Sequence, residues 1–237
     1  MPSIDSVNLH NDYECIYLAT FPRSGNHWMR GLVEKVTGIA TGSVYCDPDP
    51  PHSPTLQPWG GYLIEGGYGG DCLPPQKKNV ILLKTHHPHL QFNPFEEAKG
   101  KVVHIVRHPI DAIYSYYVWM CQYIWKTQPE LILPQEILEE YLDEWVKFHS
   151  FYLNRDQTLV FRYEDLLKEP FKHLKNTLAF MGVNASDKRI RHAIYTLPPE
   201  GIPLKHVKHY RDEQIKLIFE KSMPLLKAYQ YASSIKN

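Results

Sequence analysis

An arginine-containing turn between an apolar strand and a helix carries the clearest chemical signal in this sequence. Residues 17–30 read YLATFPRSGNHWMR, so the strand runs into Pro22, Arg23, Ser24 and Gly25, and a helical pattern follows directly. A helix that begins there points unpaired backbone N–H groups and the positive end of its dipole at the turn, and Arg23 adds a full charge. The turn therefore predicts an anion site, with phosphate as the first candidate. The alternative is an ordinary turn with a solvent-facing Arg23.

A second arginine ends another apolar strand, and a serine follows it at helical spacing. In the segment VVHIVRHPIDAIYS, Arg107 closes the strand and Ser115 lies on the next helix. A guanidinium fork suits a terminal phosphate, and a helical hydroxyl adds a donor from the side. The alternative is that Arg107 is paired with Asp111 at the start of that helix.

A lysine and two histidines stand at the end of a third strand. The segment LLKTHHP places Lys84, His86 and His87 there. Histidine has a pKa suited to taking up a proton near neutral pH, and lysine stabilises developing negative charge. Because a lone histidine is more often structural, a catalytic interpretation depends on the other two motifs lying nearby.

Composition bounds the class of protein. A chain of 237 residues with 43% hydrophobic content can bury a full core, so a single domain over residues 1–237 is expected. The 26 basic residues balance 26 acidic ones, which predicts neither a nucleic-acid partner nor a membrane partner. No targeting pattern and no apolar run of roughly 18 residues occurs, so we expect a cytoplasmic protein. The cysteines and histidines lack metal-ligand spacing, which predicts reduced thiols and no metal.

Strands and helices alternate along the chain. Apolar runs predict strands at 15–21, 80–84, 102–106 and 158–161, and helical spacing predicts helices at 26–37, after Pro109, after Pro134, and at 171–181, 187–195 and 211–228. This order predicts a three-layer α/β fold with a central parallel sheet and helices on both faces. Residues 41–76, rich in Pro and Gly, are predicted to be a long loop. The three motifs all fall at carboxyl ends of strands, where such sheets bind ligands.

These motifs resemble those of sulfotransferases that use 3′-phosphoadenosine 5′-phosphosulfate (PAPS). The 5′-phosphosulfate loop of that family reads roughly F/Y-P-K/R-S-G-T/N-T/H-W, and residues 21–28 fit it, with His27 where Thr is usual. The family's 3′-phosphate motif, R-N/D/H-P-x-D-x-x-x-S, matches residues 107–115. The segment YEDL, which begins at Tyr163, resembles the part of the family's sequence that lies by the adenine. The resemblance covers roughly residues 13–181, in order.

The resemblance implies a sulfotransferase fold related to P-loop nucleotide hydrolases. It also implies PAPS as donor, adenosine 3′,5′-bisphosphate (PAP) as product and no metal requirement. It makes His86 the general base, with His87 as a rival, and Lys84 and Arg23 the cations that support the reaction. The cofactor residues that it implies are Arg23, Ser24, Gly25, Asn26, His27, Trp28, Arg107, Ser115, Tyr163 and Lys205. Lys205 and Lys208 would replace the family's R-K-G-x-x-G, which is absent here. The alternative for Trp28 and Tyr163 is that both are core aromatics.

The predicted loop at 41–76 is expected to cover the acceptor. It holds four carboxylates and no Lys or Arg, and its aromatic rings suit a cation or a flat ring. We therefore expect a small cationic or polar acceptor with a hydroxyl or amine, contacted by His87, Trp59, Tyr62, Glu65 and Asp71. The alternative is that these carboxylates simply solvate the loop.

Two other functions compete with sulfuryl transfer. One is a small-molecule or nucleotide kinase of related fold, which the absence of the G-x-x-x-x-G-K-S/T pattern disfavours. The other is a nucleotide-binding module without catalysis, against which His86 argues.

Overall fold

The computed structural model describes residues 16–43, 81–89, 100–199 and 201–231. Within these ranges the strands are β1 Ile16–Thr20, β2 Thr41–Ser43, β3 Leu82–Thr85, β4 Val102–Val106 and β5 Thr158–Arg162. The α-helices are α1 Asn26–Thr37, α2 Pro109–Trp119, α3 Gln135–Leu153, α4 Tyr163–Lys168, α5 Pro170–Phe180, α6 Asp187–Thr196 and α7 Asp212–Ala228. A π-helical segment, Met120–Trp125, continues α2, and a 3₁₀ turn, Val207–His209, precedes α7.

All five strands are parallel and lie in the order β2-β3-β1-β4-β5. Residues alternate between the two faces of the central strand β1. Ile16 and Leu18 pack with α1, α5 and α6, whereas Tyr17 and Ala19 pack with α2, α3 and α7. Both faces of β1 are buried, as parallel strands require. The predicted three-layer α/β fold is therefore confirmed.

The prediction that the loop begins at residue 41 is wrong, because Thr41–Ser43 forms the edge strand β2. Two charged residues of α1 hold it in place. The backbone N–H and the hydroxyl of Thr41 both donate to Glu34 Oε1 at 2.7 Å, and Arg30 Nε donates to the Thr41 hydroxyl at 2.8 Å. These side-chain contacts with α1 leave no mark in the composition of the strand itself. Residues 44–76 lie outside the described ranges.

The remaining predicted strands and helices are found within about two residues of their expected bounds. Helix α4, which follows β5 without a loop, was not predicted. In the described part of the chain, no helix combines the length and the apolar character needed to cross a bilayer.

Two histidines with no exposed surface contact each other where β4 packs against α3. His104 of β4 donates from Nδ1 to the carbonyl of Ala19 at 3.1 Å, and its Nε2 lies 2.9 Å from Nδ1 of His149 on α3. Since Nδ1 of His104 carries the proton, Nε2 accepts from His149. Burial lowers the pKa of His104 to about 3 and that of His149 well below its ordinary value.

This pair should make the fold sensitive to acid. A histidine whose pKa is lowered by folding leaves stability intact above its unfolded pKa of about 6.5, and stability falls as the pH drops toward the folded value. His104 alone should remove about 1.4 kcal/mol of unfolding free energy per pH unit below about pH 6.5. Urea unfolding at several pH values should show a shallower pH dependence for His104→Leu. His192→Gln, at an exposed histidine, should match the wild type, and identical slopes in all three proteins would contradict the assignment.

Candidate functional site

A cavity of about 340 Å³ opens at the carboxyl ends of β1 and β4. Its lining residues are Arg23, Gly25, Asn26, His27, Trp28, Arg107, Ser115, Tyr163, Pro198, Gly201 and Lys205. The structure thus brings together every residue predicted to hold the cofactor except Ser24. Pro198 and Gly201 also line the cavity and were not predicted to do so. The signal that could have indicated them is the turn composition of the segment Pro-Pro-Glu-Gly that contains both.

The turn after β1 depends on a glycine. Gly25 has φ of 95° and accepts the N–H of Met29 through its carbonyl as α1 begins. The ring of Tyr163 lies directly against it, so that a Cβ at Gly25 would stand 2.6 Å from Cδ2 of that ring. Two requirements, the left-handed backbone and the close approach of an aromatic ring, therefore both exclude a side chain here.

Two arginines converge at this cavity. Arg107 donates from Nη1 to the carbonyl of Arg23 at 2.6 Å, and its guanidinium lies 4.9 Å from the ring centroid of Tyr163. Burial, followed by the charge of Arg107, lowers the pKa of Arg23. The Nε atoms of both arginines are buried and have no hydrogen-bond partner among the described residues. Two like charges with unused donors are the arrangement that an anionic ligand stabilises.

The neighbouring residues of the turn are tied to the fold. Trp28 is 8% exposed and its indole N–H donates to the carbonyl of Leu197 at 2.9 Å, so it packs in the core and also lines the cavity. Asn26 donates to the hydroxyl of Thr20 at 3.3 Å. Ser24 is fully buried, and its Oγ has no hydrogen-bond partner among the described residues.

His86 lies immediately after β3 and is 8% exposed. Its Nδ1 is 2.6 Å from the carbonyl of Thr20. Because a carbonyl only accepts, the proton of the neutral ring is on Nδ1 and the lone pair is on Nε2. Burial, followed by the charge of Lys84, lowers the pKa of His86 well below its ordinary value, against the opposite effect of the Thr20 hydrogen bond. The ring is therefore neutral at physiological pH and retains a basic nitrogen.

His27 connects this histidine to the cavity. Burial is the main cause that lowers its pKa well below the ordinary value, and the charges of Lys84, Arg30 and Arg23 follow. Lys84 and His86 do not line the cavity, yet both act electrostatically on His27, which does. The three motifs therefore meet around one positively charged region.

Of the residues predicted to bind the acceptor, His87 lies within the described ranges. His87 is 1% exposed, its ring packs against Phe151 at a centroid distance of 5.2 Å, and its carbonyl accepts the hydroxyl of Tyr152 at 2.8 Å. The other predicted acceptor residues lie outside the described ranges and stay predictions: Trp59, Tyr62, Glu65 and Asp71.

A second cavity of about 210 Å³ adjoins the first, since both are lined by Arg23, Ser115 and Lys205. Its other lining residues are Val118, Trp119, Gln122, Tyr123 and His206. No role was predicted for these residues from the sequence. The available signal was helical spacing, which places Trp119 one turn after Ser115 and therefore on the same face of α2.

Comparison with known proteins identifies the family. The family model of the Sulfotransferase domain matches residues 14–198. The chain belongs to the sulfotransferase family. Sulfotransferase 2A1 of Rattus norvegicus is 30% identical to it over 184 residues, which cover 71% of this chain and 60% of that relative. Sulfotransferase 2A6 of Mus musculus is 26% identical over 196 residues, or 75% of this chain and 64% of the relative. The chain thus matches less than two thirds of the length of these relatives.

Solved structures agree with this fold. A mouse sulfotransferase complexed with PAP superimposes with a TM-score of 0.61 at 17% identity, over 98% of this chain and 92% of that one. A putative steroid sulphotransferase of Arabidopsis thaliana gives 0.52 at 17% identity, over 97% and 81%. At these identities the likeness shows a shared fold.

Two glycines allow the close contact at the turn to be tested. Gly25 and Gly38 both have positive φ, but a Cβ at Gly38 would meet nothing within 4 Å. Gly38→Ala should lower the unfolding free energy by about 1–2 kcal/mol, because it forces alanine into the left-handed region, and Gly25→Ala should lower it further because its Cβ also meets the Tyr163 ring. Only Gly25→Ala should displace Tyr163, and we expect it to weaken the binding of PAP, the nucleotide that the sequence resemblance implies, by about tenfold in calorimetry. Equal PAP affinity in the two variants would contradict a ligand site at this turn.

Proposed function

We propose that this chain transfers the sulfuryl group of PAPS to a hydroxyl or amine of a small-molecule acceptor. The observation that carries the proposal is that one cavity joins the Arg23 turn to the Arg107 and Ser115 pair. The two phosphate motifs, far apart in the sequence, thereby face the same space. Membership of the sulfotransferase family supports the reaction class.

The residues present fit a nucleotide with two phosphate groups. Buried donors without partners among the described residues, Nε of Arg23, Nε of Arg107 and Oγ of Ser24, suit anionic oxygens. The rings of Trp28 and Tyr163 line the same cavity and suit a purine. The cavity volume lies in the range of small-molecule sites, roughly 300–1,000 Å³. Arg107, Ser115 and Lys205 would hold the 3′-phosphate, and the Arg23 turn the 5′-phosphosulfate.

When bound, PAPS supplies the sulfuryl group and a phosphate that leaves with negative charge. Arg23 and Lys84 would stabilise that charge as it develops. His86 would accept the acceptor's proton at Nε2, because its Nδ1 is engaged with the Thr20 carbonyl. The geometry favours His86 over His87 as this base, since the ring of His87 packs against α3. No role for a metal is proposed.

The reaction class is tested by supplying alternative donors. Purified protein is incubated with a pool of small hydroxyl and amine acceptors, with PAPS or with ATP and Mg²⁺, and the products are weighed by mass spectrometry. We expect an added sulfuryl group with PAPS, with turnover unchanged in EDTA. Phosphorylated products that form only with ATP and Mg²⁺ would support the kinase alternative. Binding of PAP without any product would support a non-catalytic module.

The base assignment is tested by a pair of adjacent histidines. His86→Ala should lower kcat by about a hundredfold to ten-thousandfold, because it removes the proton acceptor. Its Kd for PAP should stay close to that of the wild type. His87→Ala serves as the matched control and should retain most of kcat at temperatures where it is folded. Inactivity of His87→Ala together with activity of His86→Ala would reverse the assignment.

The charge and polarity of the acceptor are also part of the proposal. The acidic and aromatic residues of the 41–76 segment, in particular Glu65 and Asp71, favour a cationic or polar small molecule. The same screen of acceptors addresses this expectation, and a preference for anionic glycans would contradict it.

A further inference from the structure

A loop at residues 201–206, which follows α6, borders the cavity beside α2. Gly201 at its start lies against α4, since a Cβ there would stand 3.2 Å from the hydroxyl of Tyr163. Leu204 has φ of 57°, which is unusual for a branched residue. Lys205, the next residue, lines both cavities together with Ser115. The loop must therefore be held in a particular conformation for Lys205 to lie where it does.

The group that holds this loop is a buried carboxylate in the first turn of α2. Asp111 is 1% exposed, and its Oδ2 accepts the backbone N–H of Leu204 at 2.6 Å. Its Oδ1 accepts the backbone N–H of His206 at 3.1 Å. The two oxygens of one side chain thus bind the two residues that flank Lys205. The alternative considered from the sequence, in which Asp111 pairs with Arg107, is not what this carboxylate does.

Asp111 is not used to cap its own helix. The side chain of His108 performs that task by accepting the N–H of Ile110 at 3.3 Å. A buried carboxylate is costly unless its oxygens are satisfied, and hydrogen bonds to an ionised group are the strong ones. The carboxylate of Asp111 is therefore committed to the loop.

Further contacts fix the chain that leaves the loop. The hydroxyl of Tyr210 donates to the carbonyl of Ile110 at 2.8 Å. The ring of His209 stacks on Tyr114 with a centroid distance of 4.0 Å. These contacts hold the segment after the loop against α2. Within the loop, Asp111 binds the backbone N–H groups on either side of Lys205.

Position on α2 explains why this carboxylate has functional consequences. Asp111 lies one helical turn before Ser115, and Arg107 stands between the end of β4 at Val106 and the start of α2 at Pro109. The segment that presents Arg107 and Ser115 to the cavity therefore also anchors Lys205. Burial and the charges of Lys205 and Arg107 lower the pKa of His206 to about 4, in keeping with positive groups crowded at this end of the cavity.

We propose that Asp111 is a positioning residue that holds Lys205 at the Arg107 and Ser115 end of the cavity, where Lys205 contacts the 3′-phosphate of the nucleotide. This inference rests on the proposed function. It assigns to one carboxylate the placement of the cation that replaces the family's R-K-G-x-x-G segment. Lys208, the other candidate from the sequence, is not among the residues that line either cavity.

The test compares the affinities for PAP and AMP, which differ in the 3′-phosphate, by isothermal calorimetry. Asp111→Asn replaces one accepting oxygen by an NH₂ group that cannot accept a backbone N–H. We expect Asp111→Asn and Lys205→Ala each to lower the preference for PAP over AMP by about tenfold. Because Asp111 acts through Lys205, the double variant should lose no more than either single variant.

Two control variants separate this role from general effects. Asp143→Asn makes the same charge change at an exposed carboxylate that pairs with Lys221, and it should keep the wild-type preference. Lys208→Ala removes a charge from the same segment and should also keep it. A wild-type preference in Asp111→Asn would overturn the positioning role. Equal weakening of PAP and AMP, or additive losses in the double variant, would overturn it as well.

A measurement on the wild type covers the case in which Asp111→Asn does not fold. Amide hydrogen exchange at Leu204 and His206 should be slower with PAP than with AMP, because a bound 3′-phosphate holds Lys205 and the loop in place. Equal exchange rates would contradict the inference. A wild type without preference for PAP would contradict the proposed function and the role of Asp111 together. A preference for PAP in the wild type that Asp111→Asn retains would contradict only the positioning role of Asp111.

Discussion

The contact between Gly25 and the ring of Tyr163 is the constraint on which the site depends. A side chain at Gly25 would overlap the ring, so the turn after β1 can approach the end of β5 only because that residue has none. The ring in turn lies beneath the guanidinium of Arg107 at the end of β4. One close approach thus brings the turn, the ring of Tyr163 and the second arginine together at the cavity.

Positive charge is concentrated here although the chain as a whole is neutral. Arg23 and Arg107 converge on one cavity. The charge of Lys84 lowers the pKa of His27 and of His86 nearby. Burial opposes such crowding, as the lowered pKa of Arg23 shows. A fold that maintains this arrangement loses stability locally and recovers it when an anion binds, which couples ligand binding to stability. Steering by overall charge contributes little, so recognition has to come from contacts within the cavity.

Local patterns predicted the architecture, and polar side-chain contacts between separate elements escaped them. The strands β1 and β4 and the helix α1 follow from apolar runs and from Gly38 as a helix end, and the motifs placed Arg23, Arg107 and Ser115 together because parallel strands end at one edge. Strand β2 was missed, since it depends on Glu34 and Arg30 rather than on its own composition. The partners of Asp111 were missed as well, because they lie more than 90 residues away.

The end of β1 shows how a requirement of the backbone supplies a chemical property. Strand β3 pairs with β1 as far as Thr85 opposite Ala19, so the carbonyl of Thr20 lies beyond the ladder. A buried carbonyl requires a donor, and Nδ1–H of His86 provides it. This hydrogen bond fixes the tautomer of His86 and leaves the lone pair on Nε2, the nitrogen that the proposed reaction needs. Burial and the charge of Lys84, not this hydrogen bond, lower the pKa of the ring, so the bond that satisfies the strand sets the tautomer and the surroundings keep the ring neutral.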